Sequence, residues 1–275
     1  MPELPEIETI ARGLDAAVRG ATITDVRVTR ADVLREVSPT KLRTRTTGAT
    51  IVRCWRRAKL AVIDFSTGDR LVVQPRFTGA LLIDSGDLPA RERQYSTLHF
   101  QLDDGRTLHY RDVRRLGTVT LMAPKRFHAY TDALGPEPLD PAFTTEQFSA
   151  RLARSTQAVK KVIMDQRQLA GVGNIYANEA LWRAELDPSR SARRVSPDRV
   201  AALHTAVINV LTDAIAARGT SFRDYRDADG AQGSFVVRLD AYGRAGQPCR
   251  RCGARLIGTH AIDGRATVFC ARCQR

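Results

Sequence analysis

The chain has 275 residues, 43% of them hydrophobic, and carries 43 Lys and Arg against 30 Asp and Glu for a formal net charge of +13. That is enough apolar material to bury a core, which excludes a wholly disordered chain, and enough length for one large domain or two of ordinary size. No run approaches the ~18–20 apolar residues of a membrane span, and the acidic start MPELPEIE is unlike a secretory signal. A membrane receptor and a secreted disulfide scaffold are therefore not expected, and a bacterial-type cytosolic protein, or a nuclear or organellar one, is.

The excess of base favours a polyanionic partner, nucleic acid first, because arginines on phosphates gain free energy by releasing counterions. A merely solvated arginine surface is the alternative reading of the charge alone.

In chain order, residues 3–19 read as a helix: Ile7, Ile10, Ala11, Leu14 and Val18 recur at helical spacing and Gly20 closes it. From about 21 to 122 the pattern is short β-type runs, namely IVRCW (51–55), LAVIDF (60–65), RLVVQ (70–74), ALLID (80–84), TLHFQL (97–102), TLHY (107–110) and TVTLM (118–122). Gly- and Asp-rich turns separate them, which predicts an antiparallel sandwich or barrel. Residues 124–143, with Pro124, Pro136, Pro138 and Pro141, read as a linker.

Helices are then predicted from Thr144 or Thr145 to about 153, over 157–167, over 175–184, and from Ser196-Pro197 to Gly219. In the last of these, Ser is the cap and Pro the first helical residue. The resulting division is 1–123 for the strand-rich domain, 124–143 for the linker, 144–238 for the helical domain and 239–275 for a small terminal unit.

That terminal unit holds four of the five cysteines, spaced Cys249-x2-Cys252 and Cys270-x2-Cys273. Two such pairs suit two knuckles presenting four thiolates to one tetrahedral zinc ion. A pair of disulfides is the rival reading, and the lack of a secretory signal argues against it. A closed shell of four thiolates makes the ion structural; His260, between the pairs, is not needed. Cys54, inside a strand pattern, is expected to be an inert core residue.

Two further features are ambiguous on their own. GVGN (171–174) is a glycine turn leading into a helix, where Asn174 can cap the helix or meet a phosphate, with Lys160 and Lys161 upstream. Pro2 follows Met1; removal of Met1 would expose a secondary amine, nucleophilic toward an aldehyde-like carbon, with Glu3 beside it as acid or base. Most helix–turn–helix segments are structural, and most chains starting Met-Pro carry no such chemistry.

Taken together, MPELPEIE (1–8), GVGNIYANEAL (171–181) and the terminal C-x2-C…GRATVFCARCQ resemble the formamidopyrimidine-DNA glycosylase and endonuclease VIII family. LGPEPL (134–139) and YGRAGQPC (242–249) resemble its formamidopyrimidine branch. The resemblance implies an α+β protein of two domains: an N-terminal antiparallel β-sandwich headed by a helix, and a C-terminal helix–two-turn–helix domain ending in a zinc finger. It implies a bifunctional base-excision glycosylase/AP lyase acting on oxidised purines (8-oxoguanine, formamidopyrimidines) in damaged double-stranded DNA, by a proline Schiff base and β,δ-elimination. Oxidised pyrimidines or broader lesions are the same-family alternative, and a catalytically silent DNA-binding relative is the other.

Carried over by position, Pro2 resembles the nucleophile, Glu3 the proton donor, Glu6 a supporting acid and Lys59 the lysine of β-elimination. Asn174 and Arg265 resemble phosphate clamps, with Arg265 also the candidate proton donor for δ-elimination. Tyr95, Arg114, Arg154 and Lys160 fall at DNA-contact positions. Where the family has HLGMSG and DPRRFG this chain has QPRFTG (74–79) and DVRRLG (112–117), placing Phe77 and Leu116 as the wedges that fill the gap left by an everted base; ordinary core packing is the other reading of these two. The lesion-reading loop is expected within 219–238. One structural zinc on Cys249, Cys252, Cys270 and Cys273 is the only cofactor expected. A monomer, no membrane partner, and a bacterial cytoplasmic, nucleoid-associated location complete the expectations.

Overall fold

The computed structural model describes residues 2–220, 228, 230 and 233–275. The chain divides into two compact units, Met1–Asp132 with Ala217–Ser234, and Ala133–Ala216 with Phe235–Arg275.

The first unit opens with helix α1 (Leu4–Val18), which begins on a capping box and has Pro5 in its first turn. Its stripe of Leu4, Ile7, Ile10, Leu14 and Val18 is fully buried, each side chain worth about 1.5–3 kcal/mol of hydrophobic stabilisation as an upper estimate. Strand β1 (Ile23–Val28) and helix α2 (Pro39–Thr46) follow, then β2 (Ile51–Arg57), β3 (Leu60–Phe65), β4 (Arg70–Gln74), β5 (Gly79–Asp84), a single turn α3 (Ala90–Arg93), β6 (Ser96–Leu102), β7 (Thr107–Asp112), β8 (Thr118–Met122) and α4 (Pro124–Thr131).

The strands form two four-stranded antiparallel sheets, ordered β1-β6-β7-β5 and β2-β3-β4-β8. One hydrophobic cluster draws Val26, Phe100 and Leu81 from the first sheet, Ile51, Ile63 and Val73 from the second, and Ile10 and Leu14 from α1, so the sheets form a sandwich headed by the helix.

All seven strands expected from the sequence are present, and the structure adds β1, α2 and α4. The 124–143 stretch is therefore not wholly a linker. Its Pro124 is the first residue of α4, and Pro39 begins α2 behind the Ser38 cap, which accepts Lys41 N–H at 3.2 Å; proline at the first helical position starts a helix rather than breaking one.

The second unit holds α5 (Thr145–Ala153), α6 (Val159–Met164), α7 (Asn174–Arg183) and α8 (Pro197–Ala216), then a β9–β10 hairpin (Ile257–Thr259, Thr267–Phe269). With 20 residues and a mean hydropathy of 1.2, α8 has the length and composition to cross a membrane, although Asp198, Arg199 and Asp213 interrupt its apolar residues. Its Val200, Leu203, Val207, Val210 and Leu211 are nonetheless buried within this unit, as in the core helix of a folded domain.

Candidate functional site

In the first unit the amino terminus is built into the fold. Pro2 and Glu3 are buried, and Glu6, 1% exposed, holds them from below. Glu6 Oε2 accepts Glu3 N–H at 2.8 Å and Oε1 accepts Thr220 N–H at 2.7 Å. One carboxylate thus ties the start of the chain to the segment leaving Gly219. That close approach demands glycine: Gly219 has φ +84, and a Cβ there would lie 2.8 Å from Glu6 Oε1.

Lys59, 9% exposed, occupies the two-residue turn between β2 and β3, after Ala58 in the left-handed region at φ +52. Two contacts set α1 against β2: Asp15 Oδ1 accepts Cys54 N–H at 2.7 Å, and Glu8 Oε2 accepts Arg56 Nε–H at 2.8 Å. Higher β2 numbers therefore lie toward the helix start. Continuing about 7 Å up α1 from Glu8 reaches Glu3, while Lys59 sits at the hairpin tip just beyond the Arg57–Leu60 pair, which is itself one residue past Arg56. The structure thus brings Pro2, Glu3, Glu6 and Lys59 to one end of the unit. The Arg56 ion pair holds the Glu8 carboxyl below its ordinary range despite partial burial. Cys54 is buried, and burial pushes its thiol up to about 12, so it is inert as expected.

The two loops expected to carry the wedges sit side by side, joined through Asp112. Phe77 is 47% exposed and Leu116 40%, so neither is a core residue. Each follows an arginine in the left-handed region, Arg76 and Arg115, both at φ +52, a conformation costing roughly 1–2 kcal/mol. The guanidinium carbon of Arg114 lies 5.4 Å from the Phe77 ring centre.

Beneath the tips is a brace the sequence did not reveal. The buried Asp112 carboxylate accepts from Thr78 Oγ1–H on one loop, from Gly117 N–H at 2.8 Å on the other, and from Tyr110 Oη–H at 3.3 Å. Thr78 Oγ1 in turn accepts Arg114 N–H at 3.0 Å, and Thr78 O accepts Arg111 Nη1–H at 3.0 Å. A Cβ on Gly79 or Gly117 would overlap Tyr110 Oη, which explains a glycine closing each loop. Burial next to Asp112 pushes the Tyr110 phenol well above its ordinary range.

Tyr95, 41% exposed, stands with Arg27, Arg30, Arg93 and Arg115 around a cavity of about 510 Å3. His99, on the same wall, is pushed down to about 4 by burial and by His109, whose ring lies 4.8 Å away, so at neutral pH the arginines supply the positive charge.

In the second unit, Arg154 is exposed at the end of α5, and Asn174 is the first residue of α7. Gln166 braces the glycine turn: its amide donates to Val172 O at 2.8 Å and accepts Gly171 N–H at 2.8 Å. Lys160 is not at the surface. It is 0% exposed and donates to Ala266 O at 2.9 Å and Thr267 Oγ1 at 2.8 Å. Arg265, half exposed, is at the finger tip, its Nε 3.6 Å from Asp263.

The expected metal ligands converge. The sulfurs of Cys249, Cys252, Cys270 and Cys273 lie within 4.8 Å of one another, and Cys252 Sγ is 3.5 Å from Cys270 Sγ; tetrahedral zinc–thiolate bonds of ~2.3 Å require about 3.8 Å between sulfurs. Burial opposes the Cys249 thiolate, but N–H groups of Cys252 and Arg251 hold its pKa at about 6. Burial and the neighbouring sulfurs push Cys273 up to about 12. The donor set fits zinc, and His260 lies outside the cluster.

Sequence reasoning missed what joins the turn to the finger. Glu179, fully buried, accepts the N–H groups of Asp240, Ala241 and Tyr242 at 2.8, 2.9 and 2.7 Å; its desolvation outweighs those donors and raises its pKa. Asn178 Oδ1 accepts Val268 N–H at 2.7 Å, and Trp182 packs with Cys249, Cys270 and Val268. The available signal was polar residues on a buried helical face within GVGNIYANEAL. Half of the stretch 219–238 in which the lesion-reading loop is expected, 221–227, 229 and 231–232, lies outside the described residues.

Comparison with known proteins adds three matches along the chain. The formamidopyrimidine-DNA glycosylase N-terminal domain matches residues 1–119, the H2TH domain of the same enzymes 134–226, and the zinc finger found in FPG and IleRS 246–275. A formamidopyrimidine-DNA glycosylase of Roseiflexus is 40% identical and one of Xanthomonas campestris 42%, with all of both chains covered. Among solved structures, a Lactococcus lactis Fpg bound to DNA containing an abasic site superposes with a TM-score of 0.91 at 31% identity, over 99% of each chain. The Thermus thermophilus protein superposes at 0.86 and 35% identity, over 99% of this chain and 98% of that one.

Proposed function

Because the chain belongs to the formamidopyrimidine-DNA glycosylase family, we propose that it is a bifunctional DNA glycosylase/AP lyase of base excision repair. Its substrates are oxidised purines, 8-oxoguanine and formamidopyrimidines, in double-stranded DNA. A Lactococcus relative has been solved with DNA carrying a benzylated formamidopyrimidine nucleotide. The observation that supports the reading is that the buried Pro2–Glu3–Glu6 terminus and the Lys59 turn lie toward the same end of the first unit.

Chemistry on C1′ requires the lesion out of the stack. Once Met1 is removed, the Pro2 nitrogen forms a bond to C1′ as the bond from C1′ to the damaged base breaks. The departing base takes a proton, supplied by Glu3. The Pro2 nitrogen gives up its proton, and the C1′–O4′ bond of the resulting aminal then breaks, O4′ taking up a proton, to open the sugar ring and leave an iminium. This acidifies the C2′ proton, which Lys59 helps to remove as the 3′ phosphate leaves; δ-elimination then expels the 5′ phosphate, and water releases Pro2. Glu6 keeps the nucleophile in place through Glu3 N–H, and this burial reduces the freedom lost on reaching the transition state.

Phe77 and Leu116 fill the gap left in the duplex, with Arg114 beside them. Tyr95, Arg154, Asn174 and Arg265 meet phosphates, which fix register without reading sequence. One zinc ion on Cys249, Cys252, Cys270 and Cys273 supplies folding energy to the finger. In this reading the protein works as a monomer on nucleoid DNA in the bacterial cytoplasm, with no membrane partner; a net charge of +13 supports the polyanionic partner.

The test is borohydride trapping and base release on duplexes carrying 8-oxoguanine, a formamidopyrimidine, an oxidised pyrimidine or an abasic site. Covalent adducts with the two purine lesions and the abasic site are expected, and Pro2→Gly should abolish them. Glu3→Gln should lose base release more than abasic-site cleavage. Efficient action on the pyrimidine alone would favour the same-family alternative. Binding with no adduct on any duplex would make the chain a silent relative.

A further inference from the structure

We propose that Lys160 is a positioning residue that sets the Arg265 phosphate arm, and that it touches no DNA itself. The inference rests on the reading above that Arg265 grips a phosphate.

The β9–β10 hairpin that carries Arg265 has only three paired positions on each strand, too little to hold a tip still by its own ladder. Its backbone is instead fixed from α6 and α7. Ala266 O receives three side-chain donors: Lys160 Nζ at 2.9 Å, Asn174 Nδ2 at 3.0 Å and Asn178 Nδ2 at 3.3 Å. Lys160 also donates to Thr267 Oγ1 at 2.8 Å, and that hydroxyl donates to Arg265 O at 3.2 Å. Asn178 holds Val268 N–H at 2.7 Å. Residues 265 to 268 are thus each gripped through the main chain or the adjoining side chain, while the Arg265 side chain stays half exposed.

Burial decides between positioning and contact. Lys160 is 0% exposed, so a phosphate cannot reach its ammonium while these bonds stand. Its neighbour Lys161 is 44% exposed and lies 3.5 Å from Asp263, the residue that also faces Arg265. The tandem lysines therefore divide, one outward and one inward. A buried ammonium is costly to desolvate, and an apolar chain of similar length would fill the space more cheaply; the lysine contributes donors that such a chain lacks. Lys160→Met should still fold, because Ala266 O keeps both asparagine donors.

The experiment uses the full-length, zinc-loaded protein. Affinity for a duplex holding a tetrahydrofuran abasic-site analogue is measured against salt, and amide hydrogen exchange is followed in the free protein. Arg265→Gln should lower the slope of log affinity against log salt by about 0.9, one phosphate contact. Lys160→Met should lower it by a similar amount, and the double variant should fall no further than Arg265→Gln alone. In free Lys160→Met, exchange over 265–269 should quicken at least about tenfold, with zinc content and the first unit unchanged. Thr267→Val, which removes the second acceptor without changing shape, should give a smaller change of the same kind.

Additive slopes would show that Lys160 meets phosphate directly and overturn the proposal. Unchanged exchange over 265–269 in both Lys160→Met and Thr267→Val would overturn it too. If Arg265→Gln leaves the slope unchanged, the phosphate role of Arg265 fails, and the exchange data still decide whether Lys160 positions the hairpin.

Discussion

The wedge loops of the first unit and the finger tip of the second solve the same mechanical problem with opposite charges. Each projects short backbone through a left-handed non-glycine residue, Arg76 and Arg115 in the loops and Asp263 in the finger. Each is anchored on one acceptor below the tip. In the loops the acceptor is the Asp112 carboxylate and its donors are a hydroxyl, a phenol and a backbone N–H. In the finger the acceptor is the neutral Ala266 carbonyl and one donor is the Lys160 ammonium. The difference suits what each presents: apolar wedges above a fully used carboxylate, and an arginine above a hairpin held from behind. It also shows why tip identities can change. Phe77 and Leu116 contribute nothing to the Asp112 brace, so exchanging the wedges leaves Thr78, Tyr110, Asp112 and Gly117 intact.

The largest effect should come from the metal. Chelation, or Cys270→Ser, removes a folding contribution of the order of 10 kcal/mol. Exchange protection over 249–273 should collapse and DNA affinity fall at least about tenfold, while the first unit keeps its protection; an unchanged affinity after verified zinc loss would separate the finger from DNA binding altogether.

Asp112→Asn comes next. An amide replaces one of the two accepting oxygens with a donor, facing either Thr78 Oγ1 or both Gly117 N–H and Tyr110 Oη, which should cost about 2–4 kcal/mol in urea unfolding of the first unit. Release of 8-oxoguanine should drop well beyond cleavage at a preformed abasic site. Equal loss of both would mean that the brace serves the nucleophile rather than the wedges.

Smallest in stability should be Phe77→Ala and Leu116→Ala. At 47% and 40% exposure they should move unfolding by no more than ~0.5 kcal/mol while slowing base release and sparing abasic-site cleavage. A large stability loss would mark them as packing residues.

The legible parts were those in which short-range pattern fixes structure. Seven strands follow from apolar runs between Gly- and Asp-rich turns, and the zinc ligands from two CxxC pairs. Strand β1, ITDVRV, was hidden because polar residues occupy its exposed positions at the sheet edge. Helix α4 was hidden because Pro124 read as part of a linker, although a proline correctly opened α8 at Pro197, and α2 because the whole of 21–122 read as strands. Asp112, Asn178 and Glu179 stayed illegible for a different reason: each is a buried polar group whose partners lie on other elements, and no local pattern names a tertiary partner. Lys160 shows the limit of transfer by position, since a motif locates a lysine but cannot say whether its ammonium faces phosphate or the protein's own backbone.

The proposed chemistry turns on a bond between the nitrogen of Pro2 and the sugar of the everted nucleotide. Tandem mass spectrometry of the borohydride-reduced adduct on an 8-oxoguanine duplex tests it directly. The expected result is the nucleotide mass on an N-terminal peptide that begins at residue 2, attached through the proline nitrogen. Attachment at Lys59 instead, or a cross-linked protein that still begins with methionine, would contradict it.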